Sequence, residues 1–450
     1  MLRPQMTARD VAVYVLDGWQ EGKGRPESLL RDALHASSLD RRDRALAMEI
    51  AYGVVRNLTN LDFVLSKFIK ETPRGIPPQV RNVLRAAAYQ VIYLDRVPAR
   101  AAVHDAVERM KTSREKALAG FVNAVLRNLI RGVDSVAYPD REKEPARCLS
   151  IKHSYPAWLA ERWVKRFGAD EAEALMAAGN QPPPITLRAN TLKTDRAGLI
   201  AGLVEAGIGC TPCLYAPDGV MIKGYPRIEA IPGYAEGLFA VQDEAAQLVS
   251  ILLSPKPGDD VLDACAAPGG KTGHISALSG GTARITAVDI AADKLVPLKE
   301  NIARLGLQGV TVMQADVSGP LPFDNGFDRV LLDAPCSALG VIRRRPEIKY
   351  TRRQPDVARL ARLQASMLGN LSVLVRPGGA LVFSTCSTEP AEGETVIAGF
   401  IGEHTEWTVE DARGFLPEAA GGLVTPEGYM RTYPHRHGLD GFFAARLVRQ

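Results

Sequence analysis

The sequence predicts a multidomain protein with three parts. These are an all-α N-terminal domain, a small α+β subdomain, and an α/β domain built on a doubly wound parallel sheet. Three observations carry this expectation. The first third of the chain places apolar residues at helical spacing with hardly a β-like run. A short stretch beyond it reads β-α-β-β. From residue 259 onward, short apolar strands alternate with helical segments, the pattern of a parallel sheet with crossover helices. The expected boundaries are 1–140, 150–235 and 236–450, and with 46% apolar residues each part can bury a core.

The first part justifies its helices one by one. Ala8, Val11, Val13, Tyr14, Leu16 and Trp19 mark an amphipathic helix, and segments 42–56, 61–69, 78–94, 101–111 and 119–131 continue the pattern. Pro78 opens a helix, where its missing amide costs least. Residues 1–145 hold 24 Lys plus Arg against 18 Asp plus Glu, so this part carries the positive excess of a chain whose net charge is only +4. Such an excess suits either a solvated surface or an RNA-binding face.

Residues 135–150 are polar and read as a linker. A helix over 156–167 follows, whose Trp158 and Trp163 suit core packing better than base stacking. Segments 185–188, 197–206, 211–215 and 219–222 supply the β-α-β-β reading, and 239–248 leads a helix into the last part. Cys210-Thr-Pro-Cys213 has redox or zinc spacing, but no second Cys/His pair follows, so no metal is expected. The six cysteines are too scattered for a disulfide framework, which points to a reducing cytoplasm. No run approaches a membrane helix in length, and Met1-Leu-Arg-Pro lacks the apolar stretch of a signal peptide.

The last part is organised around residues 259–272. Val261 and Leu262 begin a buried strand that stops in Asp263, a small-residue cluster and a Pro-Gly-Gly turn; Thr272, Ile275 and Leu278 then resume at helical spacing. Small residues let a ligand lie on the backbone, in front of a helix N-terminus. A triphosphate-cradling loop is disfavoured: Cys265 stands where its first glycine is required, and Pro268 removes an amide. Further strands over 286–289, 310–316 and 327–333 end in Asp289, Asp316 and Asp333, and a fifth over 380–384 precedes Cys386; Cys336 follows Asp333 closely. Helical segments 293–305 and 360–374 separate them. In such a sheet ligands bind outside the strand carboxyl ends, where all these acids and both cysteines lie.

The blocks Asp263-Ala-Cys-Ala-Ala-Pro-Gly-Gly-Lys-Thr272, Asp333-Ala-Pro-Cys-Ser337 and Ser384-Thr-Cys-Ser387 resemble the RNA (cytosine-C5) methyltransferases of the Nol/Nop/Sun group. Gly340-Val-Ile-Arg-Arg344 and Asp440-Gly-Phe-Phe-Ala-Ala-Arg446 extend the likeness over the C-terminal two thirds of the chain. Phe121-Val-Asn-Ala-Val-Leu-Arg-Asn-Leu129, after Pro98-Ala-Arg-Ala-Ala-Val-His-Asp-Ala-Val107, is similar to the NusB-type RNA-binding fold. The combined architecture resembles members that act on 16S ribosomal RNA. Lys294 departs from the pattern where Arg is commoner, as does Pro390-Ala-Glu-Gly-Glu394 where Pro-Glu-Glu-Asn-Glu is commoner.

The resemblance implies a Rossmann-like class I methyltransferase domain using S-adenosyl-L-methionine. It assigns Cys265, Ala266, Ala267, Pro268, Gly269, Gly270 and Lys271 to the cofactor's methionine end, Asp289 to its ribose and Asp316 to its adenine end. Asp333 would serve both cofactor site and cytosine edge, and Lys271 either cofactor or substrate. Cytosine C5 is a poor nucleophile, so a thiolate adding at C6 is needed to activate it. Spacing does not say which cysteine attacks; the resemblance names Cys386, with Cys336 assisting release. Arg343 and Arg344, in a basic run that reaches Lys349, Arg352 and Arg353, are expected at RNA phosphates. The target base must leave its stack, so an unpaired or locally opened RNA is expected as substrate, acted on by a monomer. A tRNA or protein acceptor, an NTPase and a non-catalytic assembly factor are the competing readings.

Overall fold

The computed structural model describes residues 6–69, 75–224, 227–323 and 326–450; the Met1-Leu-Arg-Pro segment lies outside them. The chain forms two compact units, Met1–Gln181 with Arg345–Thr351, and Pro182–Arg344 with Arg352–Gln450.

The first unit is helical. Ala8–Gln20 starts at a capping box, Thr7 accepting from the Asp10 amide while the Asp10 carboxylate accepts from Thr7. Helices Arg41–Arg56, Pro78–Tyr93, Ala99–Lys111 and Ala119–Gly132 occur where helical spacing placed them, and Leu58–Ser66 begins and ends three residues before the expected 61–69. A further helix, Pro26–His35, was not expected, because its buried stripe is only Pro26, Leu30, Ala33 and Leu34. Pro145–His153 also forms a helix, which begins within the stretch read as a linker and runs past it: Pro145 opens it and Cys148 and Leu149 are buried. Ala157–Phe167 and Ala169–Gly179 complete the unit; Trp163 is buried against Tyr155, whereas Trp158 is half-buried.

Lys349 lies on the short helix Ile348–Thr351 and belongs to this unit. It is buried rather than exposed for phosphate, donating to Arg56 O at 2.6 Å, Asn180 Oδ1 at 2.8 Å and His153 O at 3.4 Å. Arg56 and His153 close their helices, so their carbonyls are free to accept; burial, with the Arg56 charge, pushes the Lys349 pKa well below its ordinary value.

In the second unit, β1 (Ile185–Ala189), β2 (Cys210–Pro212), β3 (Gly219–Ile222) and β4 (Phe239–Val241) form an antiparallel sheet in the order β2-β3-β1-β4. Helix Arg196–Glu205 buries Leu199 and Leu203 against it. The expected β-α-β-β unit thus gains a fourth strand, because 239–241 pairs with β1 before the helix Glu244–Leu253 begins.

The larger sheet comprises β5 (Asp260–Ala264), β6 (Arg284–Asp289), β7 (Val310–Gln314), β8 (Phe327–Asp333), β9 (Val375–Thr385), β10 (Trp407–Glu410), β11 (Met430–Arg431) and β12 (Phe443–Arg449). Its order is β10-β12-β9-β8-β5-β6-β7, with β11 against β12. Strands β5 to β9 are parallel. The sheet as a whole is mixed rather than purely parallel, since β12 runs antiparallel between β9 and β10. The order reverses at β5, with β6 and β7 on one side and β8 and β9 on the other. In doubly wound sheets ligands bind at such a reversal, outside the strand carboxyl ends. Among the described residues, no helix is long and apolar enough to cross a membrane.

Candidate active site at the carboxyl ends of the sheet

Strand β5 ends at Ala264 and the chain turns at once. Cys265 takes a left-handed φ of 63°, Ala266 N donates to Val288 O at 2.8 Å, and Gly269 has φ 99°. The positive φ favours glycine here, and a Cβ at Gly269 would sit 2.7 Å from Leu298 Cδ1, which would have to shift. Helix Gly270–Leu278 starts here, and Gly270 O accepts from Arg188 Nη1 of β1 at 2.6 Å. Burial pushes the Cys265 thiol up to about 12, which fits a wall rather than a nucleophile.

Three strand ends meet through one ion pair. Lys271 Nζ donates to Asp333 Oδ2 at 2.5 Å, at the end of β8, and Ser384 Oγ of β9 donates to Asp333 Oδ1 at 2.8 Å. Burial disfavours the lysine's charge, but Asp333 outweighs it and holds the Lys271 pKa above its ordinary value. Beneath, Asp263 is fully buried; Thr272 Oγ1 donates to its Oδ2 at 2.6 Å, while Oδ1 has no hydrogen-bond partner among the described residues. Burial pushes the Asp263 carboxyl up to about 7.

Asp289 ends β6 and is tied to the same loop. Its Oδ2 accepts from Ala267 N at 3.3 Å, its Oδ1 from Ala291 N at 3.2 Å, and Lys294 Nζ is 3.9 Å from Oδ1. Asp316 is not drawn in. It is exposed two residues past β7 and accepts from Ser318 N and Oγ at 2.9 and 2.7 Å, hydrogen bonds that hold its pKa below the ordinary value.

Cys336 and Cys386 meet with their sulfurs 3.3 Å apart, on the loops after the adjacent strands β8 and β9. Cys336 is buried and Cys386 only partly so. The hydrogen-bonded Cys386 thiol, with burial and the Glu392 charge, pushes the Cys336 pKa well above its ordinary value. Arg352 Nε holds Ser337 O at 3.1 Å. Gly340 N donates to Cys386 O at 3.0 Å, and Gly441 N donates to Gly340 O at 2.9 Å. A Cβ at Gly340 would sit 1.9 Å from Gly441 O. Sequence reasoning missed Glu392, whose carboxylate bonds to Ser337 and Ser387. The available signal was a serine directly after each cysteine, with a nearby acid.

Arg343 and Arg344, expected at phosphates, point inward instead. Arg343 Nε bonds to Asp440 and its Nη1 donates to Gly438 O at 2.9 Å; Arg344 donates to Asp440 Oδ2 at 2.5 Å, Asp243 Oδ2 at 2.7 Å and Pro184 O at 3.1 Å. Two buried carboxylates demand such partners. Burial still pushes the Asp243 carboxyl up to about 6. Cys210 and Cys213 are both free thiols, and Cys213 is buried beside Gly219.

This geometry can be set beside known proteins. Residues 250–448 match the family model "16S rRNA methyltransferase RsmB/F", residues 6–131 the NusB family, and residues 155–229 an RsmF/B-like ferredoxin-like domain. A Bacillus subtilis protein named "Probable ribosomal RNA small subunit methyltransferase B" is 38% identical over 449 residues, covering 99% of each chain. The Pseudomonas putida "Ribosomal RNA small subunit methyltransferase B" is 35% identical, covering 100% of this chain and 99% of its own. The crystal structure of PH0851 superposes with a TM-score of 0.81 at 26% identity, covering 99% of both chains. Sequence, domain order and fold agree along the whole length, and the chain belongs to the 16S rRNA methyltransferase RsmB/F family.

Proposed function

We propose that this chain methylates C5 of a specific cytosine in 16S ribosomal RNA, through a covalent adduct of Cys386 with C6. The observation that carries the reading is the thiol pair, 3.3 Å apart beside the Lys271–Asp333 ion pair, in a chain whose relatives are named for small-subunit ribosomal RNA methylation. In this reading residues 1–140 engage RNA, 150–235 help hold it, and 236–450 carry the chemistry.

The residues present fit S-adenosyl-L-methionine. The loop 264–270 carries only small side chains and a proline, Asp289 borders it, and Asp263 Oδ1 beneath it has no hydrogen-bond partner among the described residues. Residues 265–271, Asp289 and Asp333 would hold it, and when bound it supplies a methyl group on a positively charged sulfur. The remaining steps belong to the chain. The Cys386 thiolate adds to C6, forming a sulfur–carbon bond and making C5 electron-rich. Asp333, fixed by Lys271 and Ser384, hydrogen-bonds the cytosine edge. After C5 has gained the methyl group, its proton leaves to a base, the sulfur–C6 bond breaks, and the C5–C6 double bond returns. Cys336 is near enough to assist that departure. Cys386 is assigned the attack because it is the more exposed of the two thiols, while Cys336 is held protonated.

The test is mass spectrometry of rRNA after incubation with enzyme and labelled S-adenosylmethionine. Native protein should yield 5-methylcytosine, Cys386→Ala none, and Cys336→Ala a trapped protein–RNA adduct. The reverse behaviour of the two variants would exchange their roles. Label absent from cytosine in rRNA would sink the reading in favour of tRNA or another acceptor.

A further inference from the structure

Glu392 is fully buried in the short turn Pro390–Glu392 after β9. Its Oε1 accepts from Ser337 N at 2.7 Å and Gln364 Nε2 at 3.3 Å. Its Oε2 accepts from Ser387 Oγ at 2.6 Å and from Ser337 Oγ. A carboxylate offers about four acceptor sites, so this one is fully satisfied. Ser337 directly follows Cys336, and Ser387 directly follows Cys386. One carboxylate is therefore the common anchor of both cysteine loops. The two serine oxygens lie 3.2 Å apart and the two sulfurs 3.3 Å apart. Gln364 also donates to Pro335 O at 3.0 Å, so it too holds the first loop.

An apolar plug could hold two loops together, so the charge calls for its own account. A buried negative charge disfavours a second one close by, and Cys336 is the enclosed member of the thiol pair. We propose that Glu392 is a positioning residue that keeps the two thiols in contact while Cys386 attacks, and that its buried charge adds to what disfavours a thiolate at Cys336. The chemistry rests on the cytosine-C5 reading; the primary test does not.

Glu392→Gln preserves shape. Its oxygen still accepts, and its amide can donate to the Ser337 and Ser387 hydroxyls, which can turn to receive it. The measurement is iodoacetamide alkylation of the full chain across pH, resolved for each cysteine by peptide mass spectrometry, without RNA or methyl donor. Cys336 in Glu392→Gln should alkylate roughly three- to tenfold faster in the mildly alkaline range, its profile displaced to lower pH. Glu392→Asp should return the profile toward that of native protein. Profiles at Cys336 that superimpose for native protein and Glu392→Gln would overturn the proposal. With RNA and methyl donor, Glu392→Gln should lose about tenfold in kcat at nearly constant KM and accumulate adduct, and an unchanged kcat would equally count against it. If Glu392→Gln fails to fold, Ser337→Ala and Ser387→Ala each remove one anchor and should show the same kcat loss at constant KM; native kcat in both would reject the proposal. A displaced Cys336 profile in an enzyme whose native form makes no 5-methylcytosine would support the thiol positioning and overturn only the C5 reading.

Discussion

A single carboxyl group shows how burial sets chemistry in this site. Asp263 ordinarily titrates near 3.8 and is pushed up to about 7 by burial. The folded state thus holds its proton more tightly than the unfolded chain does. This group's contribution to stability is present below about pH 4 and is lost as pH rises through about 7. Asp263→Asn should flatten that part of the pH dependence by about 1–3 kcal/mol, read as urea midpoints at pH 5 and pH 8. A variant whose midpoints fall between those two pH values as steeply as native would reject the assignment.

At the scale of elements, the site depends on loops approaching more closely than side chains allow. The Cys386 loop meets Gly340, which in turn meets Gly441 ahead of β12. Gly340→Ala would place a methyl 1.9 Å from Gly441 O and 2.9 Å from Cys386 O. It should lower kcat/KM by at least about a hundredfold and also lower Tm, because two backbones must separate. Gly369→Ala is the matched control. It lies in the helix Gln354–Ser372 with open space around its Cβ, and should stabilise by about 0.5–1 kcal/mol with activity unchanged. Equal activity losses in the two variants would remove the loop-contact explanation.

Across the whole molecule, sequence order and structural units do not coincide. Residues Arg345–Thr351 sit in sequence between the Cys336 loop and the helix Gln354–Ser372, yet they belong to the helical unit. There Ile348 and Lys349 are buried and Tyr350 packs on Trp19 at 5.9 Å. A fragment spanning 182–450 carries this segment without its surroundings. It should be less soluble than the full chain, measured as the sedimenting fraction after expression, because it exposes an apolar patch and a lysine that had three oxygen acceptors. Full solubility of the fragment would show that the segment finds another partner.

Periodicity and strand-end chemistry in the sequence determined much of this protein. They placed the long helices of the first unit, the strands β5 to β9, and a loop of small residues in front of a helix with acids and two cysteines around it. Those features are local: a 3.6-residue stripe or an apolar run ending in aspartate needs no distant partner to be recognised. What tertiary structure decided was long-range. Phe443–Arg449 became an antiparallel strand because β9 and β10 leave a place between them. Arg343 and Arg344 turned inward because Asp243 and Asp440, 100 and 97 positions from Arg343, are buried opposite them. The Cys336–Cys386 contact and its anchor at Glu392 arose from adjacency of β8 and β9, since a hydrogen bond across 50 residues leaves no period in the sequence.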